Sequence, residues 1–224
     1  MSKFIPQGMG WHPDLPDPRD YTYRHRKVKK LLCRLKPAKC KTLPSAVDLR
    51  RDAEGEYFTL PEDQGPLNSS CAFAVLSLVE YFERRGRGRT FEGSARFLYK
   101  MTRNRMQKLL RVTGDTGTDL RTTLKELVQF GVPPEEHWAY EIQDFDEEPS
   151  GFAYRQARPF PGVRYFRLDE PNRSGKKTLK VVKSFLAAHF PVVFGFPVPT
   201  SLTDDPDIPY RRGLDSYRGG QAAV

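Results

Sequence analysis

The amino-acid sequence predicts an α+β protein, and three observations carry that expectation. Apolar residues recur at helical spacing through residues 70–130, alternation of apolar and polar residues appears only after residue 160, and 19 prolines and 17 glycines break up both regions. Helices first and strands later is the order of an α+β domain rather than of a parallel βαβ sheet.

The elements follow in chain order. Residues 10–21 (GWHPDLPDPRDY) hold so much proline that only extended chain and turns are accessible, and they are expected to lie along the surface. Residues 24–41 contain nine Lys/Arg and no acid, enough to account for the whole net charge of +9. Such a run reads either as an arm for phosphates or an acidic partner, or as a solvated, mobile linker. It lacks interleaved aromatics, so the linker is the expectation and a nucleic-acid partner is not expected.

Residues 43–50 read as an extended entry to the folded body, and Asp63-Gln64-Gly65-Pro66 as a turn. Over 70–85, Ala72, Phe73, Val75, Leu76, Leu78, Val79, Tyr81 and Phe82 leave only a narrow polar strip, which predicts a helix buried on most sides, with Asn68, Ser69 or Ser70 as its N-cap. A second helix is predicted over 94–107. A third begins at Thr118 or Asp119 and is stopped after Phe130 by Gly131, Pro133 and Pro134. Residues 163–168 read as a short strand, 178–189 as a helix and 191–198 as an apolar strand. The division expected is an extended N-terminal segment with its basic arm over 1–42, then one domain over 43–224. That domain has a helical lobe over about 60–145 and a β lobe over about 150–224.

Several function classes are excluded. No run approaches the ~20 apolar residues of a membrane span, and residues 1–17 lack the apolar core of a secretory signal, so a cytoplasmic location and no membrane partner are expected. Three cysteines, Cys33, Cys40 and Cys71, make no disulfide framework. Cys33 and Cys40 have no histidine pair nearby, so no metal and no cofactor are expected.

The chemistry-bearing feature is the entry to the 70–85 helix. A helix N-terminus offers unpaired N–H groups and a favourable dipole to a thiolate or an oxyanion, and Gln64, in the turn just before it, could add an amide donor. LPEDQGPLNSSCAFA (60–74) resembles the active-site helix entry of the papain-like cysteine peptidases. GWHPDLPDPRDYTY, LPSAVDLR, SARFLYK, GDTGTDLRTTLKELVQFGVPPEEHWAYE and PVVFGFPV, in that order, resemble bacterial members without a secretion signal. The resemblance implies two lobes, a helical one carrying the nucleophile and a β-rich one carrying a histidine, with the substrate cleft between them.

Carried over residue by residue, that resemblance puts Gln64 in the oxyanion position and Ser70, six residues on, in the place of the nucleophilic cysteine. Cys71 falls one residue late, a rotation of about 100° on a helix, and is expected to pack as an inert thiol. Gly219-Gly220-Gln221-Ala222-Ala223 matches the Gly-Gly-His strand of the family, so Gln221 stands where the general base would be. Gly117, Thr118 and Gly220 match positions that line the cleft and hold substrate backbone. His12, His25, His137 and His189 match no catalytic position. Asp115 reads as part of a cleft-lining loop, and the acidic run 144–148 as a solvated turn. The sequence stops at Val224, soon after the Gln221 strand starts, so a β lobe cut short and self-association through it are expected.

Three functions follow from this pattern. One is a pseudopeptidase that binds a peptide or protein partner in its cleft. Another is a residual cysteine peptidase that uses Cys71 and a histidine from another chain. The last is a truncated relic without function.

Overall fold

The structure is a computed structural model, and it describes residues 9–35, 43–51, 55–111, 113–160, 163–170, 172–202, 211 and 213–224. The α+β expectation holds: six α-helices and a two-stranded antiparallel sheet occur among the described residues. The chain divides into two compact units, one made of residues 1–14, 60–161 and 193–224, the other of residues 15–59 and 162–192.

The first unit is built on three helices, α2 (Ser70–Arg87), α3 (Ala95–Leu110) and α4 (Leu120–Phe130). Their apolar stripes meet in one core, where Val75, Leu76, Phe97, Leu98, Tyr99 and Leu127 are almost fully buried together with Val132 and Ala153. Each such side chain contributes about 1.5–3 kcal/mol of apolar burial. The helices begin where the sequence supplies an acceptor. Ser94 Oγ accepts from Phe97 N (3.1 Å) and Asp119 Oδ1 from Thr122 N (2.7 Å), which fixes the start of α3 and of α4. Gly131, at φ 71°, ends α4.

The acidic run is an exposed turn, as expected, and it is also ion-paired to α3. Lys100 Nζ reaches Asp146 Oδ1 (3.0 Å) and Glu148 Oε1 (3.2 Å), and Arg103 Nη1 reaches Asp146 Oδ1 (2.8 Å). The two cations lie on buried stretches of α3, so their heads must end among acceptors, and the loop supplies them. These bonds from Arg103 and Lys100 hold the Asp146 carboxyl below its ordinary pKa.

A short α5 (Gly151–Gln156) packs Ala153 into the same core. Strand β1 (Phe194–Pro199) pairs antiparallel with β2 (Tyr217–Ala223), setting Phe196 opposite Gln221 and Pro197 opposite Gly220. Ala222 packs with Cys71 and Ala74 of α2, which brings the Gln221 strand against the start of that helix.

The second unit corrects two expectations. Residues Arg26–Leu35 form a helix, α1, where a linker is expected. Val28, Leu31, Leu32 and Leu35 stand at i, i+3, i+4 and i+7, an apolar stripe that the density of charge conceals, and Val28 is buried. The strand expected over 163–168 is a single bridge between Thr22 and Arg167, with Tyr23 N donating to Arg167 O (3.0 Å) and Arg167 N to Tyr21 O (2.8 Å). Alternation makes chain extended, but only a neighbour of equal length makes it a ladder. Helix α6 (Gly175–Leu186) completes the unit, with Phe185 packed against Tyr23, Phe166 and Phe190. Among the described residues no helix is long and apolar enough to cross a membrane.

Two carboxyls inside the first unit make its stability depend on pH. Burial lifts Glu80 to about 7, against the hydrogen bond from Gly93 N and with help from Glu62 and Glu92. Burial likewise lifts Glu135 to about 7, against the bond from Tyr140 N. Both values lie above the ordinary 4.5, so their contribution to stability is present below that pH and is lost as pH rises through 7. Thermal melts followed by circular dichroism should give a higher Tm at pH 5 than at pH 8, and Glu80→Gln should flatten the difference. A Tm that rises over this interval would contradict the assignment.

Candidate functional site

The site forms at the N-terminus of α2, where the first turn of a helix leaves N–H groups without an internal partner. Ser69 occupies the N-cap position, yet its side chain makes no capping bond. Ser69 Oγ instead pairs with Tyr140 Oη (2.6 Å), and the Tyr140 hydroxyl also donates to Gln64 O (2.8 Å). Asn68, the other candidate cap, is committed elsewhere. Its N and Nδ2 donate to the Asp115 carboxylate (3.0 Å each), and Tyr99 Oη donates to the same carboxylate. Gly117 N closes the network by donating to Tyr99 Oη (3.2 Å).

Of the four residues that the sequence assigns to the catalytic positions, Gln64, Ser70 and Gln221 come together here. Gln64 Nε2 donates to Leu67 O (2.7 Å), and its Oε1 accepts from Gln221 Nε2 (2.9 Å), so the two amides are coupled across the site. Ser70 Oγ accepts from Ala222 N (3.2 Å), the residue after Gln221. Cys71 points elsewhere. Its side chain is fully buried between Ala74 and Ala222, and Sγ donates to Thr118 O (3.2 Å). Burial pushes the thiol up to about 12; the bond to Thr118 opposes this, and the charges of Asp119 and Asp14 add to it. A thiolate at neutral pH is therefore not available from Cys71.

The segment 9–14 departs most from its expected place. Gly10 is buried, Met9 and Trp11 are half-buried and His12 is exposed, as residues 9–12 run between the Thr118 loop and β2. Thr118 N donates to Gly10 O (2.7 Å), His12 N to Thr118 O (3.0 Å) and Trp11 N to Gly220 O (2.9 Å). Extended chain carries a full set of main-chain donors and acceptors, and a buried stretch must spend them on neighbouring backbone. Met9 sits at the head of this run. Its N donates to Asn68 Oδ1 (3.2 Å), and its carbonyl oxygen accepts from both Gln64 Nε2 (3.0 Å) and Ser70 N (3.3 Å).

That pair of donors, one amide side chain and one N–H at a helix start, is an arrangement that stabilises an oxyanion. Here it holds a main-chain carbonyl of the same chain. Gly117, Thr118 and Gly220, assigned to substrate backbone from the sequence, line the same run: Thr118 and Gly220 bond to it directly, and Gly117 lies against Gly10. Met9, Gly10, Trp11, Tyr99 and Tyr140 are the residues that sequence reasoning did not place in the site, whereas Asp115 was expected in a cleft-lining loop and Asn68 only as a cap. Among the described residues no cluster of His, Cys, Asp and Glu could hold a metal ion.

No protein-family model matches the chain. It is 31% identical over 208 residues to an uncharacterized peptidase C1-like protein of Acanthamoeba polyphaga mimivirus, covering 87% of this chain and 62% of that protein. The chain thus spans less than two thirds of the length of that relative. The crystal structure of xylellain, a cysteine protease from Xylella fastidiosa, superposes with a TM-score of 0.70 at 24% identity, over 99% of this chain and 80% of that one. Digestive procathepsin L 3 of Tenebrio molitor larval midgut gives a TM-score of 0.50 at 15% identity, over 88% and 63%.

The far end of the inserted segment is pinned by a pair of carboxyls. Asp14 Oδ1 accepts from Arg121 N (3.2 Å) at the same α4 N-terminus that Asp119 caps, and the two side chains are hydrogen-bonded to each other. Burial, reinforced by the bond to Asp119, raises Asp14 to about 6 from its ordinary 3.8. The stabilisation of the seated segment by this pair is present below 3.8 and is lost as pH rises through about 6. Amide-exchange protection of Trp11 and Thr118, corrected for intrinsic rates, should be greater at pH 5 than at pH 8. Asp14→Asn should remove the difference; protection that is unchanged by pH in the parent protein would show that the pair does not act as a clasp.

Proposed function

For a chain that belongs to the papain-like cysteine peptidase family, we propose a peptide-holding role without catalysis, the cleft being a groove for extended backbone that residues 9–12 of the same chain occupy. One observation carries it. The Met9 carbonyl lies between Gln64 Nε2 and Ser70 N, where a reacting carbonyl would be polarised, while the position that must accept a proton holds the Gln221 amide, itself a donor to Gln64.

An amide does not titrate near neutral pH, so nothing at Gln221 can deprotonate the Ser70 hydroxyl. Loss of a general base alone lowers rate by about 10²–10⁴, and an unactivated serine in place of a thiolate adds to that loss. What remains is the binding half of the apparatus: an oxyanion-type donor pair, the Thr118 main chain on one side of the peptide and Gly220 on the other. Gln221 acquires a structural role in this scheme, because its Nε2 fixes the Gln64 amide with the donor side toward Met9. A buried Cys71 thiol that bonds to Thr118 speaks against a residual cysteine peptidase.

Incubating the purified protein with a broad peptide library, with mass-spectrometric detection, should show no turnover between pH 5 and pH 8. Turnover that disappears in Cys71→Ala would overturn the non-catalytic reading in favour of a cysteine peptidase. Turnover that disappears in Ser70→Ala would overturn it in favour of a serine nucleophile.

A further inference from the structure

The shape of the occupied groove specifies what else can enter it. Gly10 has φ 108°, and a Cβ there would fall 1.9 Å from Asn68 O, which is main chain and cannot swing aside. Gly117, at φ 72°, approaches the same glycine from the other side, so that a Cβ on it would lie 2.5 Å from Gly10 O. Two glycines facing each other leave room for bare backbone only.

The next position is the reverse, a place emptied for a large ring. A Cβ at Gly195 of β1 would fall 2.0 Å from the Trp11 indole, and one at Gly220 of β2 would fall 2.1 Å from Trp11 O and 2.8 Å from the indole. Both strands thus give up their side chains where the tryptophan lies flat against the sheet. The position before Gly10 has a third relief, because a Cβ at Gly219 would fall 2.1 Å from Met9 Sδ. The main-chain bonds at Gly10, Trp11 and His12 carry no sequence information, whereas these three spacings do.

Resting on the peptide-holding reading above, we propose that the groove is selective for a glycine followed by tryptophan in extended conformation, preceded by a flexible apolar residue, and that its exchangeable ligand is such a Gly-Trp segment of another protein. The glycine is the strict requirement, since any side chain meets the Asn68 carbonyl. The tryptophan is the source of affinity: no smaller side chain covers both Gly195 of β1 and Gly220 of β2. The segment 9–12 acts as a tethered competitor, present at the high effective concentration of an intramolecular ligand. Only a peptide that reproduces both features displaces it.

Fluorescence anisotropy with a dye-labelled peptide of residues 7–14 tests this on the full-length protein. Gly10→Ala in the protein should release its own segment, and the labelled peptide should then bind at least about tenfold more tightly than it binds the parent chain, since strain of this kind is worth on the order of a factor of ten or more. The same peptide with alanine for glycine should bind the variant at least about tenfold more weakly, and the peptide with alanine for tryptophan should lose affinity as well. Circular dichroism verifies that the variant is folded. If it is not, Trp11→Ala in the protein opens the groove by the other contact and serves the same titration. Equal binding of the glycine and alanine peptides, or no binding of the parent peptide to a folded variant, overturns the selectivity. A stable dimer of the parent protein in sedimentation equilibrium also overturns it, because the segment then belongs to a second copy of this chain. Hydrolysis of the labelled peptide would instead overturn the non-catalytic reading and leave the selectivity to stand on the measured affinities.

Discussion

The N–H of Ser70 opens helix α2 with no acceptor of its own inside the helix, and its partner is the carbonyl of Met9, 61 positions earlier in sequence. Much of the first unit is arranged around that meeting. Asn68 turns away from capping so that it can hold Met9 N with one atom and Asp115 with others. Gln64, fixed by Gln221, brings a second donor to the same oxygen. Thr118 and Gly220 then fasten the residues that follow. The helix start is thereby satisfied from within the same chain.

The same geometry separates the groups that hold a carbonyl from the groups that would break a bond. The donors that recognise a carbonyl are main chain or amide, and they depend on backbone position. The groups that break a bond depend on titration, and neither Ser70 nor Gln221 titrates near neutral pH. Cys71 carries a thiol but spends it on Thr118 in a buried, apolar place.

The part of this that was legible in the sequence is the part with fixed local spacing. The six-residue step from Gln64 to Ser70 and the Gly-Gly before Gln221 locate the site, and the apolar stripes of α2, α3 and α4 locate its support. The inserted segment was hidden for a physical reason. Its proline content reveals extended chain, but the partners of extended backbone lie at residues 118 and 220, and no local pattern points to them. Residues 146–148 keep the exposure that their acidic side chains predict, but their ion pairs have no local signature, since Lys100 and Arg103 lie on buried stretches of α3. In α1, charge density outweighed an apolar stripe that was present all along.

The pairing of Trp11 with Gly220 also sets an order of events during biosynthesis. Residue 11 leaves the ribosome well before residue 220, so residues 9–12 have no lasting place until β2 has emerged. Contacts of such long sequence separation form late, because the intervening loop must close first. Until then the groove is unfinished and the tryptophan is without its partner on β2. A nascent-chain chaperone would find in it an apolar handle that the finished protein withdraws.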